Sequence, residues 1–381
     1  MQALAAGLVA VIVGYAGPTV LVFKVAENAH LSEAQIVSWL WAYSIGAGLT
    51  TIVASLQYRL PLITAWSTPG IAFLMTAMVD VPLAEAIGAF MVSNVLVTLV
   101  GLFGLLQRLV RWIPVQVASA LNGGILVAFA VAVVHALRTQ AWLVAGMVLA
   151  FFVVRRFAPR WAVAAVMFAA ALLCLLLGQF ETSRLSVSMA TPVWTWPVFT
   201  WHATVNVAIP LTVLVLTGQY LPGFAVLKTA GYEPPVDRVV VLCGAGSLLA
   251  SPWGCHNLNP SAMIAGIVTG PEAHADRRRR YMAAVCAGGV YILFGSFAPT
   301  LVGLFASMSR EAIAALAGLA LLSAIAASFE SAFAAHKGSL APLVTFVIAT
   351  SGLQVLGMGA AFWAIVAGLI LFHVLERRPA G

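Results

Sequence analysis

Charge is what this sequence has least of. Of 381 residues, 19 are Lys or Arg and 12 are Asp or Glu, so 8% carry a formal charge, against about 25% in a typical soluble domain. That scarcity excludes a soluble enzyme and a disordered chain. The balance is basic, with a formal charge of +7, but charges this sparse cannot build the phosphate-neutralising face that nucleic acid requires. Cysteine is scarce too. Cys174, Cys243, Cys255 and Cys286 stand in apolar stretches without a CxxC pair or a His/Cys metal spacing, which argues against a disulfide framework or a zinc site. HExxH, GxSxG and paired intramembrane acids are missing, as is a GxxxxGK[ST] loop, so the motifs of a membrane-embedded hydrolase and of a P-loop nucleotide site are both lacking. No cofactor and no metal are expected.

What fills the space is apolar: 62% of the residues, with a mean hydropathy of +1.03. The chain reads as an all-α polytopic membrane protein. Crossing about 30 Å of hydrocarbon takes roughly 17–25 apolar residues per helix. Runs between charged or Pro/Gly breaks fall at 3–23, 32–56, 61–78, 82–106, 115–134, 139–154 and 160–178. A second set falls at 204–227, 236–251, 253–270, 281–305, 309–334, 339–350 and 355–375. That makes fourteen segments, seven in 1–180 and seven in 200–381. The first run has no basic n-region and is read as a membrane span, not a cleaved leader. Ser32 with Gln35 predicts a capping box. Asp80 with Pro82, and Ser309 ahead of Glu311, predict two further helix starts.

Loop charges orient the chain independently. With a cytoplasmic N-terminus, fifteen basic residues fall on the cytoplasmic side, among them Arg59, Arg108, Arg111, Arg155, Arg156, Lys228, Arg277–Arg280, Lys337, Arg377 and Arg378. The other side holds four: Lys24, Arg138, Arg184 and Arg310. Both termini are therefore expected in the cytoplasm, with the Arg277–Arg280 run as a topology anchor. The Trp-rich stretch 179–203 reads as an interfacial belt on the outer face.

Two segments are broken by polar residues. Trp66-Ser67-Thr68-Pro69-Gly70 interrupts the third, and Gly254-Cys255-His256-Asn257-Leu258-Asn259-Pro260-Ser261 interrupts the tenth. A cap-type residue before proline marks a helix start, and the residue before proline is pushed to extended geometry. Each break is thus predicted to be a short extended strand feeding a half-helix, with Pro69 and Pro260 as its hinges. A second pair matches: Gly14-Tyr15-Ala16-Gly17-Pro18 and Gly218-Gln219-Tyr220-Leu221-Pro222. Seven segments per copy is an odd number, so the second copy is inverted. Matched broken helices in inverted repeats point to a transporter's midplane site, and their half-helix N-termini suit an anion.

At these residues the sequence resembles the benzoate–proton symporter (benzoate membrane transport) family. The resemblance rests on Thr64-Ala65-Trp66-Ser67-Thr68-Pro69-Gly70, Glu85-Ala86-Ile87-Gly88, Pro222-Gly223 running to Ala230-Gly231-Tyr232, Ser251-Pro252-Trp253-Gly254 with His256 and Asn259, Gly270-Pro271-Glu272-Ala273-His274, and Ala361-Phe362-Trp363. It implies a uracil-permease-type fold, with a core of 1–106 plus 204–305 and a gate of 107–180 plus 309–381. It also implies a bacterial inner-membrane location, proton-coupled import of a small aromatic carboxylate, and allows a homodimer. Two positions depart from the pattern: Tyr220-Leu221 follows Gln219 where Gln-Asn is frequent, and Pro260-Ser261 replaces small apolar residues. Both leave the exact substrate open.

Among the candidates, Ser67, Thr68, Gly70, Gln219, Asn257, Asn259 and Ser261 are placed at a carboxylate by hydrogen bonding. Tyr15, Trp66, Phe73, Tyr220 and Trp253 offer faces to an aromatic ring, and each is equally explained by packing or interfacial anchoring. His256 stands at a broken segment and titrates near neutral pH; it either carries a proton or holds the turn neutral. Glu330 is the one carboxylate well inside a predicted span, either functional or wetted near the end of its helix beside His336 or Lys337. A different small anion or a nucleobase on the same fold, and an anion channel, are the rival readings.

Overall fold

The computed structural model describes residues 2–16, 18–79, 81–108, 114–334, 339–355 and 358–376. Gly17, Asp80, Arg111, His336, Lys337, Arg377 and Arg378, which entered the reading above, lie outside the described residues. The chain opens with α1 (Gln2–Ala16) and α2 (Pro18–Asn28), the second beginning at Pro18, where a missing N–H costs nothing. After α3 (Glu33–Tyr58), strand β1 (Thr64–Trp66) feeds the short α4 (Thr68–Ala77). Helices α5 (Leu83–Leu102), α6 (Val115–Thr139), α7 (Ala141–Phe157) and α8 (Ala162–Leu176) complete the first half.

The second half runs through α9 (Trp201–Thr229) and α10 (Val236–Ala250) to strand β2 (Leu258–Pro260) and α11 (Ala262–Thr269). Then come α12 (Tyr281–Ser296), α13 (Ala298–Ala306), α14 (Arg310–Phe333) and α15 (Leu340–Thr350). A hairpin of β3 (Gln354–Val355) and β4 (Met358–Gly359) leads into α16 (Ala360–Leu371). Among the described residues six helices are long and apolar enough to cross a membrane, or seven if α12 and α13 count as one bent span. The other helices, such as α4, α8 and α15, are shorter.

Local chemistry explains the boundaries. The capping box at α3 forms as predicted: Gln35 N–H donates to Ser32 Oγ (3.4 Å) and Ser32 N–H to Gln35 Oε1 (2.8 Å). Ser309 Oγ accepts the Ala312 N–H at the start of α14. The half-helix starts shift by one or two residues from expectation. Ser67, not Thr68, caps α4, accepting the Gly70 N–H at 3.0 Å, with Pro69 at its second position. In the tenth segment Pro260 ends strand β2, a strand end being a place where its missing N–H is tolerated, and α11 starts after Ser261. The eleventh segment is not one helix but α12 and α13, bent by 67°; Pro299 at the second position of α13 removes the N–H that would continue α12. Two π-widened stretches, Thr204–Ala208 and Leu216–Tyr220, precede Pro210 and Pro222 in α9, where the proline ring would otherwise meet the carbonyl four residues back.

Packing divides along the same lines. α12 packs on α3 and α1, α10 packs on α5, and α14 lies along α6 with α15 and α16 alongside. The segment 179–200 crosses one end of the bundle as an irregular strap. Its backbone N–H groups donate to Ala84 O (from Val198), Pro252 O (from Thr195), Ser296 O (from Ala190) and Ser307 O (from Glu181), all at 2.8–3.0 Å. Trp194 stands edge-on to Trp253. The strap therefore grips helices drawn from both halves.

The Arg277–Arg280 run does more than balance charge. Arg277 lies over the Tyr232 ring (4.4 Å) and bonds Gly231 O; Arg280 donates to Thr269 O (2.6 Å) and His274 O (2.9 Å). It ties two loops at that end of the molecule.

Candidate functional site at the paired half-helices

The two broken segments meet. β1 and β2 pair antiparallel, with Thr64 opposite Pro260, Ala65 opposite Asn259 and Trp66 opposite Leu258. Ser261 N–H extends the ladder to Ile63 O at 3.0 Å. A three-residue strand pair cannot persist alone; hydroxyls of α3 hold it. Thr64 Oγ1 lies 2.7 Å from Thr50 Oγ1 and 2.9 Å from Thr51 Oγ1, and Ser55 donates to Leu62 O at 2.9 Å. On the other side Leu258 N–H donates to Ser247 Oγ of α10 at 2.7 Å. Because the strands run antiparallel, α4 and α11 start at opposite ends of the ladder, about 10 Å apart by strand rise. Among the described residues no side chain caps α11, which leaves first-turn N–H groups without a side-chain acceptor.

Around β1 sits an aromatic cluster in which Tyr15, Tyr43, Trp66 and Tyr291 are buried and Phe294 half-buried. Tyr15 meets Trp66 edge-on (centroids 5.1 Å) and its hydroxyl bonds Ser44 Oγ. Tyr43 stacks on Trp66 (5.4 Å, 23°), and Tyr291 and Phe294 close round Tyr15 at 5.9 and 5.2 Å. His256 joins it: Nδ1 is 2.6 Å from the Tyr43 hydroxyl and Nε2 is 3.1 Å from Ser67 O. A carbonyl only accepts, so Nε2 carries a proton, and the Tyr43 hydroxyl then donates to a neutral Nδ1. Both nitrogens are satisfied with His256 uncharged. Gly70 is required here, since a Cβ would lie 2.9 Å from His256 Nε2.

Behind His256 runs an amide chain. Asn259 Nδ2 donates to Asn257 Oδ1 (3.3 Å), Asn257 Nδ2 to Asn94 Oδ1 (2.9 Å), and Asn94 Nδ2 to Ser251 Oγ (3.0 Å). All four residues are fully buried. Three buried polar atoms nearby have no partner among the described residues: Asn259 Oδ1, Trp66 Nε1 and Tyr291 Oη. Unpaired buried groups of this kind are costly.

The expected residues therefore divide. Tyr15, Trp66, Ser67, Gly70, His256, Asn257 and Asn259 converge at the ladder. Thr68 and Pro69 begin α4, and Ser261 precedes α11. Tyr220 is fully buried with its hydroxyl donating to Leu258 O (2.8 Å), so it braces β2 and has Phe224 as its ring neighbour. Gln219 is half-buried, in the π-widened stretch before Pro222. Trp253 lies under the strap, between Trp41 and the strap's Trp194. Glu330 is exposed in the last turn of α14, away from this cluster. Tyr43, Asn94 and Tyr291 were missed. A signal existed for Asn94, an amide in an apolar segment, and for Tyr43 with Ser44, Thr51 and Ser55, a polar stripe along α3.

A cleft of about 530 Å³ opens beside α4, lined by Phe73 and Thr76 of α4, Ile125 of α6, Asn206 of α9, and Ala361 and Phe362 of α16. Gly359 N–H donates to Asn206 Oδ1 at 2.9 Å across it. Among the described residues no three of His, Cys, Asp and Glu come together to hold a metal ion. The site thus offers helix N-termini, amides and aromatic faces: the means to bind a small anion with an apolar body, and no catalytic set.

Comparison with known proteins places the chain in a family and a fold. The family model for the benzoate membrane transport protein (BenE) matches residues 1–374. The chain is 35% identical over 380 residues to the benzoate membrane transport protein of Acinetobacter baylyi, covering 100% of this chain and 96% of that one. It is 37% identical over 373 residues to the inner membrane protein YdcO of Escherichia coli, covering 98% and 95%. By structure it is similar to the transmembrane domain of the cyanobacterial bicarbonate transporter BicA (TM-score 0.64, 15% identity, 97% and 96% covered). It is also similar to the murine anion transporter Slc26a9 in its inward-facing state (TM-score 0.66, 10% identity, 98% and 68% covered). The fold is that of the BicA and SLC26 transporters, where the sequence resemblance implied the related uracil-permease type. The chain is a membrane transport protein, not an enzyme, and it belongs to the benzoate membrane transport protein family.

Proposed function

We propose that this protein is a proton-coupled symporter that imports benzoate or a closely related aromatic carboxylate across a bacterial inner membrane by alternating access. The observation that carries this reading is the placement of an aromatic cluster, Tyr15, Tyr43 and Trp66, beside the two half-helix starts. The carboxylate binds between the starts of α4 and α11, at their positive dipole ends, with the uncapped first-turn N–H groups of α11 as its donors. The ring packs against Trp66 and Tyr15. The proton travels through His256, which leaves its neutral, doubly bonded state when substrate displaces the Ser67 or Tyr43 contact.

The architecture assigned to this cycle is fourteen segments in a seven-plus-seven inverted repeat, both termini cytoplasmic. Residues 1–106 and 204–305 form a core that moves against a gate of 107–180 and 309–381. The strap over 179–200 supports the division, because three of its four backbone bonds reach that core, at Ala84, Pro252 and Ser296, and the fourth reaches Ser307 just beyond it. The 530 Å³ cleft between α4 and α6 is then the passage between core and gate. A homodimer is compatible with this arrangement.

The test is uptake of labelled benzoate into proteoliposomes under an imposed inward proton gradient. Accumulation above equilibrium, abolished by an uncoupler and competed by benzoate analogues, is expected. Uptake that only equilibrates would identify a channel, and competition by a nucleobase or bicarbonate in place of aromatic acids would reassign the substrate.

A further inference from the structure

At the end of the molecule that carries the strap, basic residues are few but gathered. Lys24, Arg184 and Arg310 line one cavity of about 510 Å³ between α2, the strap and the start of α14. Arg138, in the last turn of α6, belongs to the same end, next to Gln140, which donates to Glu311 Oε2 at 3.3 Å, but it does not line the cavity. Carboxylates only partly offset the three cations. Glu27 accepts from Lys24 Nζ at 2.8 Å and lies 3.6 Å from Arg310 Nε, while Arg184 Nε donates to Glu181 Oε2 at 2.5 Å. One positive charge remains, and the Arg310 guanidinium makes no hydrogen bond among the described residues. The floor is apolar, formed by Phe23, Ile36, Met308 and Ile313. Phe23 is itself fixed against Phe305, ring centroids 4.8 Å apart.

The Arg310 guanidinium, exposed and paired to Glu27 only through Nε at 3.6 Å, keeps its terminal N–H donors turned to the cavity's apolar floor, which suits an anionic oxygen head on a hydrophobic body. We propose that this cavity is a peripheral site for an organic carboxylate, with the carboxylate on Arg310 and Lys24 and the apolar body on Phe23 and Met308. Its role rests on the transport reading above: it gathers substrate anion at the outer mouth, where a cationic concavity raises local concentration. Binding itself does not depend on that reading.

The experiment compares wild type with Arg310→Gln, Lys24→Gln and the double variant in vesicles of phosphatidylcholine alone. Arg310 is 85% exposed, so its replacement leaves the fold intact. The benzoate KM is expected to rise about threefold or more in the double variant with the maximal rate little changed, and its dependence on ionic strength to flatten. Arg138→Gln should behave as wild type. Benzoate binding to detergent-purified protein, read by equilibrium dialysis, should lose one class of sites in the double variant. If wild type transports no aromatic acid, the dialysis still reads the cavity, so the two proposals fail separately. Unchanged KM, salt response and binding stoichiometry would overturn the site. So would an equal effect from Arg138→Gln, or elimination of the wild-type advantage by added phosphatidylglycerol, which would assign the cavity to lipid headgroups.

Discussion

The Tyr43 hydroxyl sits 2.6 Å from His256 Nδ1, although 213 residues separate them in the chain. The bond crosses from the first half of the sequence to the second and fixes the imidazole between α3 and the start of α4. Tyr43 also stacks on Trp66, so one side chain positions both the titratable group and the aromatic wall. Tyr43→Phe keeps the stacking and removes only the hydroxyl, leaving Nδ1 buried without a donor. The expected cost is about 1–3 kcal/mol, read as a lowered unfolding midpoint in detergent, together with weaker benzoate uptake. A midpoint and KM equal to wild type would show that the bond orients nothing.

Gly254 ends the turn before His256 with φ +106°, and a Cβ there would stand 1.5 Å from Trp39 Cδ1. Gly254→Ala therefore combines a disfavoured backbone with a clash against a fully buried indole, and a loss of about 3 kcal/mol or more is expected. Gly266→Ala, inside α11 with nothing within 4 Å, should be neutral or gain up to about 1 kcal/mol. Side-by-side unfolding of the two variants tests the assignment. Equal stability would mean that the turn at Gly254 is not held as described.

The two extended strands and the half-helices they feed were legible in the sequence because their causes are local, while the pairing of the strands with each other was not. Ser67-Thr68-Pro69 and Asn259-Pro260 carry their backbone preferences with them, and only the exact first helical residue shifted, Ser67 capping in place of Thr68 and Pro260 ending a strand. What surrounds the ladder was less legible. Asn94 and Tyr43 owe their roles to partners 163 and 213 residues away, which no local pattern encodes. Tyr220 was singled out as a wall for the ring, but its hydroxyl is committed to Leu258 O. Glu330 stood out as the one carboxylate well inside a predicted span, yet sequence depth along a helix does not say which face it occupies; it is exposed. The bend at Phe297 was hidden because one proline in an apolar run reads equally as a kink or as an unbroken span.

Asn94 is the hinge of the amide chain, accepting from Asn257 and donating to Ser251. Asn94→Leu preserves volume and strands both partners in a buried setting, at about 1–3 kcal/mol for each group left unpaired. Expression with a depressed unfolding midpoint and little uptake is expected. Asn94→Leu combined with Ser251→Ala should lose less than the sum of the two single changes, since the partners share one network. Strict additivity in that double-mutant cycle would argue that the chain is not a unit.

The sharpest test separates the two roles of His256. A glutamine at 256 offers an N–H to Ser67 O and a carbonyl to the Tyr43 hydroxyl, so it reproduces both bonds of the neutral imidazole but cannot take up a proton in this pH range. If His256 only holds the turn, His256→Gln should accumulate benzoate against its gradient with the wild-type pH profile. If the proton passes through the imidazole, the variant should fold, bind benzoate and equilibrate it downhill, but lose accumulation driven by a proton gradient and the rise of uptake at acidic pH. The second outcome is the one expected here. Simultaneous measurement of benzoate entry and lumenal pH checks it, because a coupled wild type acidifies the lumen as substrate enters, and an uncoupled variant does not. His256→Ala, which strands both Tyr43 and Ser67, should add a stability loss that His256→Gln lacks, keeping structural damage distinct from lost coupling.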